Sequence, residues 1–175
     1  VDFIIRKNAD RISTQLNNTP AGVIKISTPE ATAIDLIGYV GHCGGIDNVA
    51  TVLAELAEKI DAGHLIEIAG FSPIAWAQRL GYLLDQIGAE EKSEGLAGYI
   101  KNKRPVRTPL IPALSIKGAS MDKTWQVFVK LIGLNRRTPG KPARTDIKVA
   151  RSVSQNCEVL AGIDFDLEPK RHAPF

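Results

Sequence analysis

Val23-Ile24-Lys25-Ile26-Ser27-Thr28-Pro29-Glu30-Ala31-Thr32-Ala33-Ile34-Asp35-Leu36 changes its hydrophobic period within a few residues. A β-branched run gives way, across Ser27-Thr28-Pro29-Glu30, to apolar positions Ala31, Ile34, Ile37 and Val40 spaced as on one face of a helix. Ser27 and Glu30 have the spacing of a capping box, in which the Ser27 hydroxyl accepts the Glu30 amide and the Glu30 carboxylate accepts the Ser27 amide. The helix is predicted to run to about Tyr39, leaving Thr32 and Asp35 toward another side. Upstream, Thr19-Pro20-Ala21-Gly22 is turn-forming and Val1 to Lys7 is a short apolar run. Two paired strands are therefore predicted to open the fold.

Downstream the helical period dominates. Gly41-His42-Cys43-Gly44-Gly45 is a flexible connection, and Asp47 is predicted to cap a second helix with Val49, Val52, Leu53, Leu56, Ala57 and Ile60 on its apolar face. The short apolar piece from His64 to Ala69 favours helix over strand. Ser72-Pro73 reads as an N-cap followed by proline at the first helical position; Ile74, Ala77, Leu80, Leu84 and Ile87 then make one face that ends at Gly88. A further helix is expected from Glu90 to Lys101, packed through Leu96 and Ile100. Beyond Pro105 the period changes again. Val106 to Ile111 and Thr124 to Leu131 read as strands, with Trp125, Val127, Val129 and Leu131 alternating with Gln126, Phe128 and Lys130, and Cys157 to Phe165 is a possible last strand. Strands, then helices, then strands, without internal repeat, give a segregated α+β class: about four helices packed on one face of a mostly antiparallel sheet.

The chain has 175 residues, a length that serves one domain and buries roughly 70% of its unfolded surface without staples. With 44% hydrophobic and 23% charged residues, it is globular rather than disordered or fibrous. Cys43 and Cys157 make neither a disulfide framework nor a zinc spacing, so a reducing cytoplasm is the expected setting. Apolar stretches such as Ile68 to Ala77 fall far short of the ~20 residues a membrane crossing needs. No signal peptide opens the chain, and Val1 in place of Met, inside an expected strand, leads us to expect an N-terminal truncation. The net charge of +3 is uneven: Arg136, Arg137, Lys141, Arg144, Lys148 and Arg151 face only Asp146 in their window.

Three segments in order, Val23 to Leu36, Gly44 to Leu56 and Gln78-Arg79-Leu80-Gly81-Tyr82-Leu83-Leu84, resemble the AbiEi family. The similarity runs from about Val1 to Leu131 and includes Trp125-Gln126-Val127. It implies a domain division at 1–132 for an AbiEi-like antitoxin C-terminal domain and 133–175 for a basic extension containing Pro and Gly. In that family a winged-helix N-terminal domain contacts operator DNA, while the C-terminal domain antagonises an AbiEii-like nucleotidyltransferase toxin. This chain resembles only the second part. The implied role is a type IV antitoxin of an abortive-infection system that assists operon autoregulation. An AbiEii-like toxin is then the expected partner without a stable complex being required, and operator DNA would be reached through the full-length protein.

Each candidate residue has a functional and a plainer reading. Glu30, Asp35, Trp76, Arg79 and Tyr82 would make an interaction surface of aromatic and arginine character, yet capping explains Glu30 and core packing explains Trp76 and Tyr82. The Arg79 fork would equally bridge to Asp35 or Glu30. Lys25, Lys101, Lys103, Arg104, Arg136, Arg137, Lys141 and Arg144 would contact phosphates, with Trp125 or Phe128 stacking on single strands; a solvated basic tail is the alternative. His42 and Cys43 have no further ligand at metal spacing, and Gly41, Gly44 and Gly45 do not form a phosphate-binding loop. Asp146 and Lys148, with Asp122 upstream, have the acid-x-lysine spacing of metal-dependent nucleases, a short pattern common by chance. The resulting expectation is a non-enzymatic module with no cofactor, no metal and no membrane partner, acting through a surface; a nucleic-acid-binding accessory domain is the alternative, and a nuclease a weaker one.

Overall fold

A computed structural model describes residues 11–130. The elements run β1 (Thr14–Thr19), β2 (Gly22–Ser27), α1 (Pro29–Gly38), α2 (Ile46–Leu56), a 3₁₀ turn (Ala57–Lys59), α3 (Ala62–Gly70), α4 (Ile74–Gln86), α5 (Glu90–Asn102), β3 (Thr108–Pro109), β4 (Ser120–Asp122) and β5 (Val127–Val129). The class is α+β, as the change of period implies. The helix favoured at His64 to Ala69 forms, within α3, and makes five among the described residues; the difference is that the expected single sheet divides into two small ones.

β1 and β2 form an antiparallel hairpin in which Leu16 pairs with Lys25 and Thr19 with Gly22, around the expected turn. The partner of β2 is thus the polar run Thr14–Thr19; the predicted strand at Val1 to Lys7 lies outside the described residues. Thr-Gln-Leu-Asn-Asn-Thr carries no apolar alternation, so nothing in it signals a strand. The hairpin stays largely exposed, with Leu16, Val23 and Ile24 among the exposed large hydrophobic side chains. The second sheet has β5 in the centre, parallel to β3 and antiparallel to β4. Trp125, Val127 and Val129 face inward, as their alternation predicts.

Helices rather than a sheet face make the core. α4 packs against α1, α2, α3, α5 and β5, and Ala77, Leu80, Leu83 and Leu84 are buried within it. Ile34, Leu53, Leu65, Leu96 and Ile100 close around it from the other helices. None of the described helices is long and apolar enough to cross a membrane.

Helix starts depart from expectation by a residue or two, each for a local reason. β2 continues through Ser27, which pairs with Thr14, so Ser27 is unavailable as a cap. Thr28 caps α1 instead, its Oγ1 accepting from the Ala31 amide at 3.4 Å, with Pro29 at the first turn. Gly45, at φ 97°, takes the cap position of α2, a conformation L side chains rarely adopt, and Asp47 lies in the first turn. The Ser72 hydroxyl donates back to the Ile68 carbonyl at 3.3 Å, finishing α3 rather than starting α4.

Candidate functional site

Four residues of α4, Gln78, Arg79, Gly81 and Asp85, lie where the helix meets the C-terminal strands. Gln78 is fully buried, and its Nε2 donates to the carbonyls of Val106 (3.1 Å) and Trp125 (2.9 Å). Arg79, 8% exposed, donates from Nε to the Pro109 carbonyl at 2.8 Å and from Nη2 to Thr108 Oγ1 at 3.0 Å. Burial lowers its pKa from the ordinary value, but a guanidinium stays charged at neutral pH. Asp85 accepts the Trp125 indole N–H at 2.6 Å and the Ser93 hydroxyl. Gly81 lets the Trp125 ring lie directly on the helix backbone, so closely that any Cβ there would overlap it. Helical spacing puts Gln78, Gly81 and Asp85 on one face, because residues three and four apart share a face, and Arg79 lies beside it. The result is a latch that fastens residues 106–129 to the helices.

This latch corrects the expected roles of several residues. Arg79 does not reach Asp35 or Glu30; it is spent on β3 and its flank, because an always-charged fork inside the protein takes whatever acceptors surround it. Trp125, 1% exposed, is not free to stack on bases. Asp122 Oδ1 accepts the Trp125 amide at 2.8 Å, fixing the turn before β5. Its nuclease companions Asp146 and Lys148 lie outside the described residues, as do Arg136, Arg137, Lys141 and Arg144. No group of His, Cys, Asp and Glu among the described residues has the geometry to hold a metal ion.

Glu30 is corrected as well. It is only 4% exposed and makes no capping box; its carboxylate accepts the Asp61 amide at 2.8 Å, across 31 residues of sequence. Asp61 in turn caps α3, accepting the His64 amide at 2.8 Å. That backbone N–H is the main reason the Asp61 carboxyl is held below its usual pKa. Glu30 therefore positions the residue that starts α3. Glu30→Ala orphans a partly buried amide and should cost about 1–3 kcal/mol in a urea titration, with amide exchange rising first in α3; a change confined to α1 would restore the capping-box reading.

The five residues expected to share a surface are divided. Glu30 and Arg79 are internal. Asp35 is partly exposed on α1, and Trp76 belongs to the α1–α4 seam: it covers Gly38, where a Cβ would collide with its ring, and meets Tyr39 edge-on at 5.7 Å between centroids. Tyr82 points toward β4, where burial first and Asp122 second raise its hydroxyl pKa. Among the basic candidates Lys25 lies in the exposed hairpin, while Lys101, Lys103 and Arg104 are exposed at the end of α5. Arg107, equally exposed and overlooked in the sequence, joins them; its signal was the four cations within Lys101-Asn102-Lys103-Arg104-Pro105-Val106-Arg107.

Against known proteins, residues 1–86 match the family model described as the AbiEi antitoxin C-terminal domain. The match ends with α4, whose side chains hold the strands beyond it. Among solved structures, the RV2827C protein from Mycobacterium tuberculosis is similar at 18% identity and a TM-score of 0.47, over 58% of this chain. The chain spans 34% of that protein's length. No curated protein matches.

Proposed function

Residues 1–86 belong to the AbiEi antitoxin C-terminal domain family, and from that membership we propose that this chain is the module counteracting an AbiEii-like nucleotidyltransferase toxin in an abortive-infection system, assisting autoregulation of the operon. The family match is the observation that carries the reading, and it supports an antitoxin or regulator role. The module extends to about residue 132 on this reading, because the latch on α4 makes the strands through Val129 part of the same packed body. Residues 133–175 form its basic extension. Activity is exercised by a surface rather than by a chemical site, and of the expected surface Asp35, Trp76 and Tyr82 stay partly exposed, with Trp76 beside Tyr39 at the α1–α4 seam. Operator DNA would be reached through the full-length protein, and the setting is the bacterial cytoplasm.

Co-expression of this chain with a cognate AbiEii-like toxin should restore bacterial growth. A folded Trp76→Ala variant should lose most of that rescue, since interface aromatics removed to Ala commonly cost ≥ ~2 kcal/mol of binding. A soluble, folded chain that leaves growth arrested overturns the antitoxin reading. Full rescue by Trp76→Ala moves the working surface away from the seam.

A further inference from the structure

The end of α5 and the loop after it form a surface whose charge pattern the antitoxin reading does not use. From Gly95 to Met121 the chain contains no Asp or Glu, and neither does Ile68 to Leu84. Lys101, Lys103, Arg104 and Arg107 are all exposed in that acid-free zone. The loop is not a free tail, because Gln78 holds the Val106 carbonyl and Arg79 the Pro109 carbonyl. Its cations are therefore presented by a fixed backbone, which reduces the ordering cost of binding.

Aromatic rings border the same zone. Phe71, at the end of α3, is 65% exposed, a large apolar side chain that the core does not use. The Tyr99 hydroxyl lies against Gly70, the residue before it, and the Lys103 ammonium sits over the Tyr99 ring at 5.5 Å from its centroid. α3 and α5 pack together, so Phe71, Tyr99 and Lys103 lie at one end of the helical body, with Lys101, Arg104 and Arg107 exposed in the segment around them.

We propose that Phe71, Tyr99, Lys101, Lys103, Arg104 and Arg107 form a binding surface for single-stranded nucleic acid. The cations match the regular negative charge of a phosphate backbone, and neither 68–84 nor 95–121 adds an acid to repel it, Glu67 one turn before Phe71 being the acid nearest the ring in sequence. The rings favour single strands over duplex, because stacking on a side chain requires a base face that pairing and base stacking otherwise cover. An acidic protein segment would satisfy the cations and leave Phe71 and Tyr99 without a role. The surface stands on its own residues, whether or not the chain antagonises a toxin.

The test is fluorescence anisotropy of the whole chain with labelled oligouridine, oligothymidine and a duplex of the same length. Single strands should bind at least about tenfold more tightly than the duplex, with a salt slope of about −3 for four phosphate contacts. Lys103→Glu with Arg104→Glu should weaken binding more than about tenfold. Phe71→Ala should weaken it about fivefold or more at an unchanged slope, since each stacked base contributes through its π-face rather than through charge. Lys59→Glu, on the distant 3₁₀ turn, should leave binding unchanged, and circular dichroism should show every variant folded. The two single strands separate RNA from DNA as the ligand. Absence of salt-sensitive binding, equal affinity for duplex, indifference to Phe71→Ala, or an equal loss in Lys59→Glu each overturns the assignment.

Discussion

Trp125→Ala is expected to lose about 3–5 kcal/mol in equilibrium unfolding, the range for truncating a large buried aromatic. Few domains carry more than about 5–15 kcal/mol in total, so the variant should be close to unfolded at 37 °C. The ring is 1% exposed and lies on the α4 backbone at Gly81. Its Nε1 donates to Asp85, its amide to Asp122, and its carbonyl accepts from Gln78. Ala keeps both backbone bonds but leaves a void and removes one donor from Asp85, which retains Ser93. Trp125→Phe, which preserves most of the bulk and loses the N–H, should cost only about 1–2 kcal/mol. Urea titrations followed by circular dichroism distinguish the two, because Trp76 and Trp125 are the chain's only tryptophans and fluorescence would change with the substitution itself. A loss under about 1 kcal/mol for the Ala variant would mean that the strands are not fastened through this ring.

Gly81→Ala should destabilise although it replaces the poorer helix former. In an exposed helix interior that change gains about 1 kcal/mol. Here the added methyl would overlap the Trp125 ring, which its hydrogen bonds prevent from sliding away. Overpacking a filled site costs about 1–3 kcal/mol and sometimes more, so a net loss of about 2 kcal/mol is expected. Gly98→Ala is the internal control: that position is exposed in α5, an added Cβ would meet nothing within 4 Å, and the change should stabilise by about 0.5–1 kcal/mol. Opposite signs for the two substitutions locate the close approach at α4 specifically. In a Trp125→Ala background, Gly81→Ala should turn neutral or favourable, because the two sites share one contact.

Helix faces were readable wherever apolar residues recurred at the helical period, as at Val49, Leu53 and Ala57 or Ala77, Leu80 and Leu84, all buried. Strand β5 was readable through the alternation of Trp125, Val127 and Val129. Strand β1 was not, since Thr14 to Thr19 is polar and is held by backbone pairing rather than by a buried face. Helix starts were legible only to within a residue or two, because Ser27, Thr28, Asp47 and Ser72 are all competent caps and the choice among them depends on what the preceding segment is doing.

The sequence by itself determined the α+β class, the helical order, the family resemblance through Val23 to Leu36, Gly44 to Leu56 and Gln78 to Leu84, and the clustering of cations after α5. Only the tertiary structure decided what the polar residues do. Glu30 and Arg79 resemble exposed charges in a linear reading, yet one holds Asp61 across 31 residues and the other holds Pro109 across 30. Periodicity records which side of an element is apolar; it carries no information about which distant backbone group will arrive opposite a buried acceptor or donor. That pairing is set by how the helices and strands pack, since most buried polar groups find a partner among whatever groups the packing brings to them, Gln78 Oε1 being an exception among the described residues.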